Sequence, residues 1–231
     1  VEFFTSHEGL NLLYESAQTR RVPRRPQHYD LTTHMPWIGE RTRALDGAHV
    51  EFFRGIANPV GVKIGPGADP AEVVELTKAL NPANEPGKLV LIVRMGADRV
   101  ATALPPIVEA VVRADRRGLW VSDPMHGNGI VTPAGIKTRS FNAIAAELSS
   151  ALDAFESFGN SQAGKPVAQL GGVHFELTGE DVTECTGGAS GITEDSLGTR
   201  YDSLCDPRLN YQQSLELALI LARRLSDSGR A

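Results

Sequence analysis

Two short runs, VGVKI at residues 60–64 and LVLIV at residues 89–93, constrain this chain more than anything else in it. Runs this brief and this apolar read as strands buried on both faces, the habit of parallel sheets covered by helices. The stretches between such runs carry apolar residues at helical spacing. Val73, Leu76 and Leu80 form one stripe, opened by Asp69 as N-cap and Pro70 at the first helical position. A second stripe holds Ala103, Leu104, Ile107, Val108, Val111 and Val112, with Pro105 and Pro106 near its first turn. A third holds Phe141, Ile144, Ala145, Leu148, Leu152 and Phe155, which reads as core packing.

The same reasoning predicts strands at residues 1–5, 34–39, 118–122, 173–177 and 201–205, which makes seven with the first two. Further helices are expected on Leu10, Leu13, Tyr14 and Ala17 (capped by Ser6), on Leu45, Ala48, His49 and Phe52, and on Leu215, Ala218, Leu219, Ala222 and Leu225. Residues 20–27 read as a solvated basic loop, 129–138 and 160–165 as loops, and 181–198 as a polar cover over a site. Strand and helix alternate throughout. The unusual polar residues Glu40, Lys63, Arg94, His126, Glu176 and Asp206 fall at or near the ends of different strands. This is the distribution of a (β/α)8 barrel, whose catalytic groups gather on one rim. The expected fold class is therefore α/β, an incomplete TIM barrel forming one catalytic domain over residues 1–231.

The candidate site residues carry their own chemistry. Residues 37–66 place Glu40, Arg41 and Arg43 after one strand and Lys63 inside the next, which reads as half of a phosphate site. Residues 65–67 form a turn where bare backbone either approaches a phosphate or simply links strand to helix. Arg94 closes an apolar strand and needs either an anion or a structural ion pair. His126 is the strongest metal-ligand candidate, and Glu176 is either a hydrogen-bonded core carboxylate or a second ligand. His7 and Glu8 stand at a strand-to-helix turn, facing a pocket or serving the cap.

Composition narrows the partners. A formal charge of −5 and a pI near 5.7 argue against nucleic acid and anionic membrane, which favour basic surfaces. Two cysteines, Cys185 and Cys205, are too few for a disulfide scaffold and fit a reducing compartment. No basic-then-apolar leader opens the sequence, so a cytoplasmic protein is expected. Val1 in place of Met leads to the further expectation that the natural start lies upstream.

Eight words occur in one order between residues 39 and 210: GERTR, DGAH, NPVGVK, RMG, DPMHGN, HFE-TGE, TEC-GG and CDPRLN. Together they resemble the type II 3-deoxy-D-arabino-heptulosonate 7-phosphate (DAHP) synthases, and such an ordered set is far more specific than any single motif. The resemblance covers the C-terminal part of that family's longer chains. It implies a condensation of phosphoenolpyruvate with erythrose 4-phosphate that releases phosphate and opens the shikimate pathway. By the same resemblance Lys63 and Arg94 hold phosphoenolpyruvate with Glu40 and Arg41 alongside, and Arg41 with Lys137 holds the aldose phosphate. Lys63 is also a candidate proton donor. His126, Glu176 and Asp206 would bind a divalent ion, manganese, cobalt or zinc by the mixed N and O donor set.

The family's N-terminal extension, its first barrel strands, a metal-binding cysteine and an arginine for phosphoenolpyruvate have no counterpart here. Without that extension, no response to aromatic amino acids is expected. Two other readings stand beside this one: a paralogue serving amino-sugar or phenazine pathways, and a non-catalytic half-barrel acting as a partner subunit. Self-assembly into a homo-oligomer is left open.

Overall fold

The computed structural model describes residues 2–159 and 168–227. In chain order its elements are β1 (Ser6–Glu8), α1 (Leu12–Gln18), β2 (Thr19–Arg21), β3 (His28–Asp30), β4 (Met35–Ile38), a 3-10 turn (Glu40–Thr42), α2 (Ala48–Arg54) and β5 (Val60–Ile64). There follow α3 (Pro70–Leu80), β6 (Leu89–Val93), α4 (Val100–Arg113), β7 (Leu119–Ser122), β8 (Gly129–Val131), β9 (Lys137–Arg139), α5 (Phe141–Gly159), β10 (Leu170–Val173), a 3-10 turn (Glu194–Ser196) and α6 (Tyr211–Asp227).

Six strands form one parallel sheet in the order β1-β4-β5-β6-β7-β10. Because every strand points the same way, Glu8, Ile38, Ile64, Val93, Ser122 and Val173 end on one rim. Among the described residues β1 and β10 are the outer strands. The fold is thus mixed α/β with a parallel sheet, as an incomplete barrel requires. β5 and β6 are buried at every residue, which is why their sequence shows no alternation. The core under the sheet joins Val62, Ile64, Leu91 and Val93 to Leu76, Leu80, Leu104, Ile107 and Phe155. Gly61 is small for a reason: a Cβ there would stand 2.8 Å from that of Trp37 on the neighbouring strand.

Several expected elements lie elsewhere. The first strand is Ser6–Glu8 rather than residues 1–5. Ser6 is therefore a strand residue, and Asn11 caps α1 by accepting the Tyr14 amide at 3.4 Å. Residues 20–27 are a loop only in part, since β2 pairs antiparallel with β3, and the 129–138 loop is the β8–β9 hairpin. In α2 the buried residues are Val50 and Phe53, while Leu45, expected on the apolar face, lies outside the helix and is exposed. α4 begins at Val100, so Pro105 and Pro106 fall past its first turn.

The strand expected at residues 173–177 ends where it was to begin, at Val173, and places Glu176 beyond the strand. Residues 201–205 form no strand; their loop is held by hydrogen bonds to a buried carboxylate described below. The expected loop at residues 160–165 lies outside the described residues. No helix among the described residues is long and apolar enough to cross a membrane.

Two measurements check this packing. Leu91, fully buried in the middle of the sheet, should cost about 2–5 kcal/mol when replaced by Ala. That loss would appear as a lower urea midpoint at unchanged m-value. Cys185 is buried and its thiol is pushed up to about 12 by burial, whereas Cys205 is exposed. A disulfide thiol reagent should accordingly modify one thiol in the native chain and both after denaturation.

Candidate active site

The rim residues are set by the turns that follow each strand. After β7, Asp123 bends the chain back with its own carboxylate: Oδ1 accepts the amides of Met125 at 3.0 Å and His126 at 3.1 Å. The His126 ring then folds over it, with Nδ1 2.7 Å from Asp123 Oδ2. From β5, Lys63 reaches the same Oδ2, both partners being almost wholly buried. The ammonium also lies 5.6 Å from the centre of the Trp37 ring. Burial alone would raise the Asp123 carboxyl, but His126 and Lys63 outweigh it and hold the group well below the usual carboxylate range. Burial lowers the Lys63 ammonium, opposed by Asp123.

With Nδ1 bound to Asp123, the far nitrogen of His126 points to two more acids. Nε2 stands 3.2 Å from Glu176 Oε1 and 3.4 Å from Asp206 Oδ2. Burial lowers the imidazole, yet the hydrogen bonds to Asp123 and Glu176 dominate and lift it to about 9. Both ring nitrogens thus face acids, and an ion bound at Nε2 would take the place of that nitrogen's proton. Burial raises Glu176, and the bonds from His126 and Arg139 bring it down to about 2. Arg139, 1% exposed, binds Glu176, lies 3.3 Å from Asp206 and donates to the Pro207 carbonyl at 2.6 Å. Lys137 pairs with Asp206 from the β8–β9 hairpin.

One ligand atom from each of His126, Glu176 and Asp206 lies within 4.8 Å of the others, and the Nε2 separations match the edge of a coordination polyhedron with bonds of about 2.0–2.2 Å. One imidazole and two carboxylates suit a borderline divalent cation. Asp123, His126 and His174 form a second grouping of the same size. There Asp123 is wholly buried, whereas Glu176 and Asp206 keep solvent-facing surface that an ion can reach, so the first set is the better fit.

The remaining candidates surround this point unevenly. Arg94, after β6, donates to the His126 carbonyl, which joins the β6 and β7 loops. Glu40 lies on the 3-10 turn after β4, 3.3 Å from Arg43, and its Oε1 would stand 2.8 Å from a Cβ at Gly65. Burial, opposed by Arg43, keeps the Glu40 carboxyl above its ordinary value. Arg43 turns to Glu72 at 3.0 Å, a structural role. Arg41 is exposed on the same 3-10 turn. His7 is bonded to the buried Glu15 at 3.0 Å.

Four residues that carry this geometry were not singled out from the sequence. Asp123 and Arg139 were passed over beside their neighbours. His174 packs edge-on between the rings of Trp37 and His126, at 5.2 and 5.8 Å, and burial followed by Lys63 lowers it to about 4. Glu184, 0% exposed, accepts the amides of Asp202, Ser203 and Arg208 and the Nε and Nη2 donors of the Arg208 guanidinium, so it holds the loop that carries Asp206. A signal existed for Asp123, an acid next to Pro at a strand end.

The Lys63–Asp123 pair generates a stability prediction. Asp123→Asn leaves a buried ammonium without its counter-charge, which should cost about 3–5 kcal/mol. Adding Lys63→Met should restore most of that loss, measured by urea unfolding.

The sequence profile of the class-II DAHP synthetase family matches residues 1–222. A protein of Streptomyces coelicolor named phospho-2-dehydro-3-deoxyheptonate aldolase is 47% identical over 227 residues, covering 98% of this chain and 49% of that one. A protein of the same name from Neurospora crassa is 46% identical (96% and 48% covered), and a probable chloroplastic one from Catharanthus roseus is 50% identical (97% and 42% covered). The chain thus spans about half the length of the curated relatives it matches. Among solved structures, phospho-2-dehydro-3-deoxyheptonate aldolase from Francisella tularensis superposes with a TM-score of 0.52 at 17% identity, over 86% of this chain and 56% of that one, a likeness of fold. With a profile match across nearly its whole length and relatives near half identity, this chain belongs to the class-II DAHP synthetase family.

Proposed function

We propose that this chain carries the metal-binding and anion-binding rim of a DAHP synthase, which joins phosphoenolpyruvate to erythrose 4-phosphate. The observation that carries the reading is the convergence of His126, Glu176 and Asp206 beside a cluster of fixed cations on one rim of a parallel sheet. The two substrates bring two phosphates, a carboxylate and an aldehyde, so several cations and one electrophilic centre are what the reaction needs.

In this reading Lys63 and Arg94 hold phosphoenolpyruvate, with Glu40 shaping the pocket wall beside them. Arg41 and Lys137 hold the aldose phosphate. Lys63 reaches the substrate from its contact with Asp123, and its ammonium is oriented by that buried carboxylate, which two backbone amides and the His126 ring also hold. His126, Glu176 and Asp206 would hold the divalent ion, of which manganese, cobalt and zinc suit the donors best. Bound there, the ion would act as a Lewis acid on the aldehyde oxygen. The third carbon of phosphoenolpyruvate attacks the aldehyde carbon, whose oxygen takes up a proton; water adds at the second carbon and gives up a proton, and phosphate departs with the bridging oxygen. Arg139 helps hold the Glu176 carboxyl below its ordinary value and pairs with Asp206, while Asp123 orients the His126 ring. The two unpaired cysteines fit a reducing, cytoplasmic setting.

The test is binding of Mn2+ to the purified chain, followed by electron paramagnetic resonance. One ion per chain is expected, and His126→Ala should weaken it by more than roughly 100-fold, beyond the loss typical of supporting partners. Undiminished binding in that variant, or no binding in the parent, would contradict the reading.

A further inference from the structure

Helix α5 delivers one more carboxylate to the underside of the site. Glu147 is 1% exposed and lies on the same helix face as Ile144 and Leu148, both 0% exposed. Among the described residues no Lys, Arg or His pairs with it, and burial pushes its carboxyl up to about 7. An acid at such a place costs stability that a leucine there would not. Its two oxygens nevertheless have definite partners. Oε1 accepts the Met95 amide at 2.6 Å, and Oε2 accepts Asn128 Nδ2 at 2.6 Å. Asn128 in turn accepts the Ala97 amide at 3.0 Å and donates to the Pro124 carbonyl at 2.8 Å.

Met95 and Ala97 follow Arg94, and Asn128 follows His126 by two residues. The two loops also meet backbone to backbone, since a Cβ at Gly127 would lie 2.3 Å from the Gly96 nitrogen. Gly96 itself has φ +88°, a left-handed conformation that suits glycine. The Glu147–Asn128 pair is thus a strut with one end in each loop, and both oxygens of a carboxylate are used to make it.

We propose that Glu147 is a positioning residue that fixes the spacing between Arg94 and His126, the anion-holding and metal-holding sides of the site. The roles of those two residues rest on the function proposed above. Glu147 touches neither substrate nor ion and acts through the Met95–Ala97 amides and Asn128.

Donor–acceptor reversal tests this. Glu147→Gln keeps the volume but sets its amide against the Asn128 amide, donor to donor. Combining Glu147→Gln with Asn128→Asp exchanges donor and acceptor and restores the 147–128 contact, while the Pro124 carbonyl loses its donor. In the single variant the affinities for Mn2+ and for phosphoenolpyruvate should both fall by about tenfold or more, the scale for residues that orient ligands. Amide exchange at Met95 and Ala97 should speed up, and the paired variant should recover a measurable part of all three. A purely structural role would instead speed exchange along all of β6 and α5, without recovery in the pair, and that result would overturn the proposal. So would wild-type exchange at Met95 and Ala97 in the single variant. Parent protein that binds neither Mn2+ nor phosphoenolpyruvate would count against the proposed function, while the exchange measurements would still decide the role of Glu147.

Discussion

The Asp123 carboxylate is the contact on which the site depends. Four donors converge on it: the Lys63 ammonium, the amides of Met125 and His126, and Nδ1 of the His126 ring. A buried carboxylate is unfavourable until it is paired and hydrogen-bonded, and once it is, every partner is held in one place. Here the partners come from β5 and from the turn after β7, two strands separated in the sheet by β6. The His126 ring is thereby aimed so that its free nitrogen meets Glu176 and Asp206.

Those two acids arrive by less regular routes. Glu176 follows β10 by three residues, and the Leu209 amide donates to its carbonyl at 3.0 Å, tying the β10 loop to the loop before α6. Asp206 sits in a loop with no strand, organised around the Glu184 carboxylate. Arg139 crosses from the β8–β9 hairpin to bind both acids. Buried charges thus take the place of regular secondary structure on this side of the rim, where among the described residues the sheet offers one short outer strand.

This division explains what could be read from the sequence. β5 and β6 were legible because burial on both faces writes itself as an apolar run. α3 was legible because Asp69 and Pro70 mark its start and its stripe repeats cleanly. The candidate ligands were placed by motif and strand-end position, and the structure brings His126, Glu176 and Asp206 together. Residues 201–205 were misread as a strand because Tyr201 and Leu204 imitate one, whereas Leu204 is fully exposed. The 173–177 strand was shifted because Val173, Phe175 and Leu177 alternate like a strand, while β10 runs through Gly171 and Gly172, which carry no such signal. Glu147 and Glu184 were invisible because a carboxylate that binds backbone amides leaves no pattern in the sequence around it.

The claim that Asp123 aims His126 at a metal position is tested most directly by anomalous diffraction from a crystal of this protein soaked in Mn2+. One strong peak should appear within bonding distance of His126 Nε2, Glu176 and Asp206, with Nδ1 still against Asp123. A peak bound instead between Asp123 and His174, or a His126 ring turned away from Asp123, would contradict the account.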